Sequence, residues 1–391
     1  MSTQLTVGPH TDDAELERFK AIAGETFMVP PDLGRIYFQL AGEQNVRVVR
    51  LDGQVIGGLV LLPKGQYFGE RKIPTAGIAA VAVAPESRAH GAATELLAQM
   101  LIEQRAAGIP LSTLYPATVA LYRRAGYELA GANHRMTLPT KAIDVRDRTL
   151  PARPVATTDQ PLIERVYNEW ARLHPGHLDR REFHWFRIRE LRGERAQGYV
   201  FGPENAIEGY IFIRSLKVEH RFHLHVHDMA AITPAAARRI LTFLADHRTV
   251  RDEVTLWSGP TDAILMHLGE FPQQVHKHSP WMVRLVHVPR ALEARGYPVG
   301  LSAELHFAVR DTVLPENDGR FVLHVADGTG HVTPGGRGSL ELDVRGLAAL
   351  YTGYLTPRDV ALAHLATGPE ESLNIAAALF AGPTPWMRDE F

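Results

Sequence analysis

The sequence predicts a protein of α/β and α+β architecture built from three domains. Its 391 residues exceed what one hydrophobic core usually serves, so two or three domains are expected. Strand-like and helix-like runs alternate through residues 1–145 and again through 146–288, which predicts an α/β sheet in each block. Residues 289–391 open with a helix, continue through several strands and end in helical segments, an order typical of an α+β domain.

The first block contains well-marked helices and strands. The dipeptide Asp52-Gly53 predicts a hairpin turn between its first two strands, and Gly108 with Pro110 ends its central helix. Apolar periodicity predicts helices at Asp12–Phe27, Ala93–Ala107 and Thr118–Ala125, and strands at Val46–Val49, Val55–Leu62, Gly77–Ala84 and Leu111–Tyr115.

A proline-bearing, charged stretch at 139–154 is the predicted linker to the second block. The second block shows no Gly-rich phosphate loop. Its predicted elements are helices Leu162–Leu173 and Ala235–Asp246, and strands Gly198–Val200, Gly209–Ile213, Arg221–Val226 and Trp281–Val286. The elements predicted in the third block are the helix Ala291–Arg295 and the strands Ala303–Val309, Arg320–Val325 and Ser339–Asp343.

Composition argues against several classes of function. The net charge of −2 provides no field that would attract nucleic acid or an anionic membrane. The absence of cysteine removes disulfides, cysteine-ligated zinc and a cysteine nucleophile. The N-terminus lacks the pattern of a secretory signal, and no apolar stretch is long enough to cross a bilayer. We therefore expect a cytoplasmic protein without a nucleic-acid or membrane partner.

A tight loop between a strand and a helix is the most informative segment. The strand ends in Val-Ala-Val-Ala, and the pattern R-x-x-G-x-A, from Arg88 to Ala93, leads into the helix. Unpaired N–H groups at a helix start hold phosphate, Gly91 permits close backbone approach, and Arg88 can add a charged hydrogen bond. The pattern predicts a phosphate-binding loop unlike the dinucleotide and P-loop fingerprints. The alternative is a helix start whose small residues serve packing.

A second motif lies between Tyr115 and Tyr127 and contains ALYRRAGY. With VAVAPESRAHGAA it resembles the acetyl-CoA strand, loop and later helix of the GNAT acetyltransferase superfamily. The resemblance extends over nearly the whole chain. The segments GIAAVAVAP, LYPAT, LYRRAGY, WMVRLVHVPRALEARGYPVG and PWMRDEF, in that order, resemble the enhanced intracellular survival (Eis) family in its cyanobacterial-type branch.

This resemblance implies a domain order and an activity. The expected order is an N-terminal GNAT domain at 1–145, a second GNAT-like domain without the cofactor loop at 146–288, and a sterol-carrier-protein-like domain at 289–391. The implied activity is N-acetyl transfer from acetyl-CoA, as co-substrate, to primary amines such as aminoglycosides, polyamines, other small amines or lysine. Assembly into a homo-hexamer is also implied, with the second and third domains at the interfaces.

The resemblance also implies which residues form the site. No metal ligand is expected. Val81 and Val83 would contact pantetheine and the acetyl group through backbone atoms. Tyr122 would be the general acid for the CoA thiolate, and the carboxylate of Phe391 would reach the acetyl-transfer site. Further cofactor contacts are expected from Arg88, Ala89, Gly91, Ala92, Ala93 and Thr118. The expected substrate-binding residues are Thr26, Met28, Tyr37 and Glu390.

Physical chemistry leaves alternatives open for the two catalytic residues. An amine attacks as its free base, so a proton must leave it, and the backbone N–H of Val83 is a candidate donor to the oxyanion. Tyr122 has a suitable hydroxyl, but a buried, hydrogen-bonded phenol would look the same in sequence. An α-carboxylate with a pKa of about 3.3–3.7 is a weak base, so Phe391 would need desolvation or a water relay, or would anchor the ammonium. Alternatively, the tail only docks through its apolar side chains.

The sequence departs from the family pattern at two places. Family members that take aminoglycosides have an acidic residue in the acceptor pocket near the first helix, where this chain has Thr26, Phe27 or Met28. A second arginine of the family's loop is replaced by Ala89. The first departure argues against polycationic acceptors, and the second implies fewer charged contacts to phosphate.

Two other classes of function remain as alternatives. His223, His225 and His227 alternate along a predicted strand and therefore share one face. Three such histidines can bind zinc, which would suit a metal-dependent hydrolase, but no HExxH pattern accompanies them, and a polar sheet face or subunit interface is the favoured interpretation. A lipid-binding module using the C-terminal domain rests on fold analogy alone.

Overall fold

The computed structural model describes residues 4–191, 193–218 and 221–391. The helices in the described ranges are α1 (Asp13–Phe27), α2 (Pro31–Ala41), α3 (Ala92–Ala106), α4 (Val119–Arg124), α5 (Gln160–Ala171), α6 (Glu182–Arg189), α7 (Pro234–Ala245), α8 (Val288–Ala294), α9 (Val344–Thr352), α10 (Pro357–Leu362) and α11 (Glu370–Leu379). The strands are β1 (Leu5–Pro9), β2 (Val46–Leu51), β3 (Gln54–Phe68), β4 (Arg71–Val83), β5 (Leu111–Leu114), β6 (Glu128–Pro139), β7 (Ala152–Pro154), β8 (Leu178–Asp179), β9 (Glu190–Leu191), β10 (Glu194–Arg195), β11 (Gln197–Phe201), β12 (Gly209–Val218), β13 (Arg221–Ala231), β14 (Glu253–Ser258), β15 (Gln274–Leu285), β16 (Ala303–Arg310), β17 (Gly319–Ala326), β18 (Thr329–Pro334), β19 (Leu340–Asp343) and β20 (Ala366–Thr367).

The described chain packs as two compact units. The first unit contains the residues up to Gly131, residues 280–383 and Phe391. The second contains 132–279, with the gaps given above, and 384–390. None of the helices in the described ranges is both long enough and apolar enough to cross a membrane.

The first sheet of the first unit has the strand order β1-β2-β3-β4-β5, followed by the end of β15. Neighbours from β1 to β4 are antiparallel, β4 and β5 are parallel, and Met282 of β15 pairs antiparallel with Leu114. The strand predicted at Trp281–Val286 is therefore present, and it extends this sheet beside β5.

Local sequence explains the turns and helices of this sheet. Asp52 and Gly53 both have positive φ, 50° and 84°, so the predicted hairpin turn is confirmed. Asp12 caps α1 by accepting a hydrogen bond of 2.9 Å from the N–H of Glu15. The apolar face of α3, formed by Leu96, Leu97, Met100 and Leu101, is buried against the sheet.

A second, five-stranded sheet in the same unit has the order β18-β17-β16-β19-β20. An ion pair joins it to the first sheet, because Arg284 of β15 lies 2.7 Å from Asp311 with both side chains fully buried. The guanidinium of Arg284 also donates to the carbonyl of Ala125 at 3.0 Å, just after α4. This network fixes β15 and α4 relative to the second sheet.

The second unit contains the sheet β6-β14-β13-β12-β11-β7, in which β13 and β14 are parallel. Its core includes Ile211, Leu224, Ile240 and Leu256 from the sheet and from α7. The segment 384–390 is part of this unit, and Trp386 packs against the rings of Trp170 and His177 at 5.8 and 4.4 Å between centroids.

Candidate functional site

A β-bulge interrupts β4 just before the loop that the sequence singled out. Gly58 pairs with Ala82 and Val60 pairs with Ala79, so two residues of β4, Ala80 and Val81, stand opposite one residue of β3. Ala80 has φ of 51°, a left-handed conformation that costs a non-glycine residue roughly 1–2 kcal/mol. Ala80 lies on β4, the strand that leads into the predicted cofactor loop. Backbone outliers of this kind concentrate at functional sites.

Two glycines of β3 allow β4 to approach closely at the bulge. A Cβ on Gly57 would collide with the carbonyl oxygen of Ala82. A Cβ on Gly58 would meet the carbonyl oxygen of Arg47 and, at 2.9 Å, the ring of Phe19. The Gly-Gly pair is therefore required by the geometry of the bulge.

The strands β4 and β5 separate beyond the middle of β4. Their last pair in the described register is Gly77 with Thr113, whereas β4 continues to Val83. The N–H of Ala84 donates to the carbonyl of Ile56 at 2.8 Å, and hydrogen-bonded pairs alternate along antiparallel strands. The N–H of Val83 therefore points away from β3, toward the edge that β5 has left open.

The loop after β4 forms a concave group of backbone N–H donors at the start of α3. Ala89 and Gly91 have φ of 70° and 77°. A Cβ added to Gly91 would have no heavy atom within 4 Å, so open space lies before the helix. The first hydrogen bonds of α3 run from the N–H groups of Thr94 and Glu95 to the carbonyl of Gly91. The N–H groups of Ala92 and Ala93 precede them, at the helix start, where N–H groups have no acceptor within the helix.

The loop fits an anionic group, because Arg88, Ala89 and Gly91 are exposed ahead of the helix. Arg88 is exposed and, within the described part of the chain, its guanidinium makes no ion pair or hydrogen bond. The open space at Gly91 and the helix N-terminus add donors and partial positive charge. These features match the chemistry of a pyrophosphate.

Tyr122 lies in a hydrophobic cluster together with residues of the bulged strand. The cluster contains Ile78, Ala92 and Tyr122 and takes in the partly buried side chains of Val81 and Val83. Tyr122 is 5% exposed, and this burial raises the pKa of its phenol above the ordinary value. The hydroxyl therefore keeps its proton at neutral pH and is available as a donor. Thr118 is the exposed N-cap residue of α4, the helix that carries Tyr122.

Tyr127 has a structural environment. Its hydroxyl lies 2.6 Å from that of Ser112, which donates to the carbonyl of Ala76 at 3.0 Å. Burial is the main cause that raises the pKa of Tyr127. The two tyrosines lie 6.1 Å apart between ring centroids, so they form a matched pair for comparison.

The last residue of the chain lies against β3, β4 and the end of β5. The ring of Phe391 is 5.9 Å from that of Tyr115, and the ammonium nitrogen of Lys64 is 2.7 Å from its centroid. A Cβ on Gly77 would come within 3.2 Å of the Phe391 ring and 2.5 Å of the Lys64 nitrogen. Phe391 thus lies where β4 and β5 begin to separate.

Sequence reasoning did not select Lys64, Gly77, Ala80 or Tyr115 as site residues. One signal was present, because Lys64 interrupts a long apolar strand from Val55 to Phe68. A lysine in such a run is rarely buried without a specific role. The bulge at Ala80 had no signal, because alanine does not favour positive φ.

The expected substrate-binding residues fall into separate environments. Thr26 donates to the carbonyl of Ile22 at 2.8 Å, and Met28 is 89% exposed at the end of α1. Tyr37 of α2 packs edge-on against Phe38 at 5.5 Å between centroids. Glu390 is exposed at the end of the second unit's tail segment.

The histidines on one face of β13 make pairwise contacts with their neighbours. His223 lies 3.2 Å from Glu253, and the rings of His225 and His227 meet edge to face at 5.0 Å. Burial lowers the pKa of His225 and that of His227 to about 4. Within the described ranges, no three His, Asp or Glu side chains are grouped to hold a metal.

Three protein-family models match the sequence. Two are acetyltransferase (GNAT) domains, at residues 10–130 and 176–285, and the third is a sterol carrier protein domain at residues 288–388. The predicted fold, tandem GNAT-like domains followed by a sterol-carrier-protein-like domain, is confirmed.

Known proteins resemble the chain over its whole length. The crystal structure of a GCN5-related N-acetyltransferase from Anabaena variabilis has a TM-score of 0.96 at 38% identity, over 99% of this chain and 100% of that one. The N-acetyltransferase Eis of Mycobacterium tuberculosis is 27% identical over 98% of each chain. Eis1 from Mycobacterium abscessus shares the fold, with a TM-score of 0.83 at 23% identity over 99% of this chain and 100% of that one. These similarities favour neither a metal-dependent hydrolase nor a lipid-binding module.

Proposed function

This chain belongs to the Eis family of GCN5-related N-acetyltransferases, and on that basis we propose that it transfers the acetyl group of acetyl-CoA to a primary amine. One observation carries the proposal. The open edge of β4 beyond Gly77 leads directly into a loop whose N–H groups and Arg88 suit a pyrophosphate. A thioester on a long extended arm therefore has both a strand edge to lie along and a site for its phosphates.

The cofactor contacts follow from these features. Backbone groups of Val81 and Val83 face the pantetheine arm, and the N–H groups from Ala89 to Ala93 hold the pyrophosphate. Arg88 is the one residue of this loop with a full positive charge. Ala89 contributes only its backbone N–H. Thr118, the exposed N-cap residue of α4, contributes a hydroxyl.

The reaction itself is an exchange of one bond for another. When bound, acetyl-CoA supplies an activated acyl group: a C–N bond to the amine forms and the C–S bond breaks. The amine loses two protons in going from ammonium to amide, the thiolate takes up one, and one is released overall. The protein must therefore place both a proton acceptor near the amine and a proton donor near the sulfur.

Residues of the site divide these tasks. The N–H of Val83 donates to the acetyl oxygen, on which negative charge grows during transfer. Tyr122, whose raised pKa keeps it protonated, gives its proton to the departing sulfur. The carboxylate of Phe391 holds the incoming ammonium or accepts its proton. Thr26, Met28 and Tyr37 of the first unit are proposed to contact the acceptor, and Glu390 is proposed as a further contact.

The assembly and the location are further parts of the proposal. A homo-hexamer is expected, with the second and third domains at its interfaces, in the cytoplasm, from a chain of the family's cyanobacterial-type branch. The domain limits of 1–145, 146–288 and 289–391 are proposed as the units of this architecture. Light scattering at micromolar concentration tests the assembly, and a monomer alone would contradict it.

The function is tested by thiol release from acetyl-CoA with a panel of aminoglycosides, polyamines, arylamines and lysine peptides. We expect amine-dependent release and a product heavier by one acetyl group in mass spectrometry. Tyr127→Phe serves as the control variant, because it removes a hydroxyl without touching the proposed chemistry. Thiol release that is no faster with any amine than with water would overturn the proposal.

A further inference from the structure

The second GNAT-like domain, at residues 176–285, contains a strand–helix–strand unit like that of the proposed cofactor site. We propose that the gap between its two strands binds a peptide in place of an acyl-CoA arm, and that this peptide is the chain's own C-terminal segment, anchored by Arg388. The binding itself is independent of the proposed function. Its consequence for catalysis, that the bound segment sets the position of the terminal residue, Phe391, rests on that function.

The two GNAT-like domains share the geometry of this unit. In the first, β4 and β5 are parallel and joined through α3, and in the second, β13 and β14 are parallel and joined through α7. The last pair of β13 and β14 in the described register is Val226 with Leu256, whereas β13 continues to Ala231. The strands therefore stop pairing before β13 ends, as β4 and β5 do beyond Gly77. Backbone groups on these unpaired edges need other partners.

Arg388 supplies such a partner to both strands past their last pair. Its guanidinium donates to the carbonyl of Met229 on β13 at 2.6 Å and to that of Trp257 on β14 at 3.3 Å. It also pairs with the carboxylate of Asp228 at 2.8 Å, and Arg388 is only 7% exposed. Several donors in one rigid fork suit this bridging role, which the single ammonium of a lysine could not fill in the same way.

The residues of the tail next to Arg388 are seated in the same unit. The N–H of Trp386 donates to the carbonyl of Pro175 at 3.1 Å. A Cβ added to Gly259, directly after β14, would come within 2.6 Å of the Trp386 ring. Residues 381–384 are exposed, whereas 385–389 are buried. Buried tryptophan and arginine anchors are typical of the residues that dominate binding energy at interfaces, so the segment has the features of a bound peptide.

The start of α7 differs from that of α3 in a way that disfavours a phosphate. Residues 232–233 join β13 to α7, whereas 84–91 join β4 to α3. The hydroxyl of Thr233 caps α7 and donates to the carboxylate of Glu208 at 2.6 Å. Pro234, the first residue of α7, has no N–H to offer. A capped helix start beside a carboxylate would repel the pyrophosphate of CoA, so the gap suits a peptide better than a nucleotide cofactor.

The test converts the tail into a separate peptide after the protein has folded. A recognition sequence for a site-specific protease is inserted between Gly382 and Pro383, which are exposed, and the folded protein is cleaved there. We expect the released peptide to stay bound during gel filtration at about 10 µM protein. Arg388→Met should raise its dissociation constant by about tenfold or more. Arg148→Met, which removes an exposed cation of the same unit, is the control and should leave the constant unchanged.

A synthetic peptide of residues 383–391 provides the second measurement. It is titrated into cleaved protein from which the tail has been removed, and the same peptide with Arg388→Met is compared, so the result does not depend on the folding of a variant protein. Acetyl-CoA stoichiometry is measured by calorimetry before and after removal of the tail. We expect one acetyl-CoA per chain in both cases, because the gap in the second domain does not take the cofactor.

Each outcome decides for or against the peptide site. Complete loss of the peptide from cleaved protein that remains folded by circular dichroism would overturn it, and so would equal binding of the two synthetic peptides. Two acetyl-CoA molecules per chain after removal of the tail would show that the tail only covers a cofactor site. Failure of the unaltered protein to acetylate any amine would overturn the proposed function alone, because peptide retention is measured without turnover.

Discussion

The Nε of Arg180 donates hydrogen bonds to both carboxylate oxygens of Asp389, at 2.9 and 3.1 Å, with only Glu390 and Phe391 left in the chain. The same guanidinium pairs with Asp228 at 2.6 and 3.0 Å, and Arg388 reaches Asp228 at 2.8 Å. All four side chains are nearly or fully buried. Two cations and two anions thus compensate one another inside the second unit and hold the tail there.

The first prediction concerns the stability of this network. Arg180→Met leaves Asp389 buried without its charge partner, so the free energy of unfolding should fall by about 3–5 kcal/mol. Arg148→Met is the matched control, because Arg148 and Asp246 form an exposed pair at 2.7 Å in the same unit. That change should cost less than about 1 kcal/mol. Urea unfolding measures both, and similar losses in the two variants would contradict the prediction.

The second prediction concerns the cofactor loop. Arg88→Ala should weaken acetyl-CoA binding by roughly 1.5–3 kcal/mol, the range for a hydrogen bond to a charged group. Gly91→Val should weaken it more, because the side chain strains a φ of 77° and fills the open space before α3. Arg35→Ala removes an equally charged, exposed residue of the same unit and serves as control. Calorimetry that finds unchanged affinity in both loop variants would rule out the loop as the phosphate site.

The third prediction concerns Tyr122 as the acid. Tyr122→Phe should lower kcat by about 10²–10⁴-fold while acetyl-CoA affinity changes little. Tyr127→Phe should instead cost about 1 kcal/mol of stability through the lost bond to Ser112, with kcat near normal.

The pH profile provides a second readout of the same residue. Burial raises the pKa of Tyr122, so its acid form persists above the ordinary phenol value of about 10. Loss of this proton therefore cannot lower kcat between pH 7 and 9, so kcat should not fall as the pH rises through this range. If Tyr122→Phe kept the full rate, water or another residue would have to protonate the departing thiolate.

Much of the fold was predictable because local patterns agreed with the final structure. The periodicity of Leu96, Leu97, Met100 and Leu101 gave α3 within one residue at each end, and Asp52-Gly53 gave the hairpin turn. Other elements were missed for identifiable reasons. After Leu62 the sequence has Pro63, Lys64 and Gly65, which disfavour a strand. β3 nevertheless runs to Phe68, because pairing with β4 outweighs local propensity.

The site was predictable only where a motif carried it. The strand, loop and helix start from Val81 to Ala93 were located by sequence, and so was the burial-prone Tyr122. The contacts of Phe391 with Lys64 and Gly77 were not, because they join residues at opposite ends of the chain. Long-range contacts leave no local periodicity, so the break that Lys64 makes in an apolar run marks the residue but not its contact with Phe391.

The last prediction concerns the chain end. A C-terminal tag converts the carboxylate of Phe391 into an amide and adds bulk, and deletion of Phe391 moves the free carboxylate back by up to about 3.3–3.6 Å of extended chain. Either change should reduce acetyl transfer by about a hundredfold, as displacement of a group in the site can. Thermal stability should stay nearly unchanged in the deletion, because residues 384–389 keep Trp386 in its aromatic pocket and Asp389 on Arg180.

A matched variant separates the carboxylate from the ring. Phe391→Leu loses the ring that contacts Lys64 and Tyr115 but keeps a free carboxylate at the same position. If the carboxylate serves the chemistry, this variant should retain more activity than either the tagged or the truncated protein. If the tail only packs, Phe391→Leu and the tagged protein should lose stability and activity together, since both disturb the same apolar contacts. Thermal unfolding measured beside kcat distinguishes the two cases, and normal turnover by a C-terminally tagged protein would exclude a catalytic carboxylate.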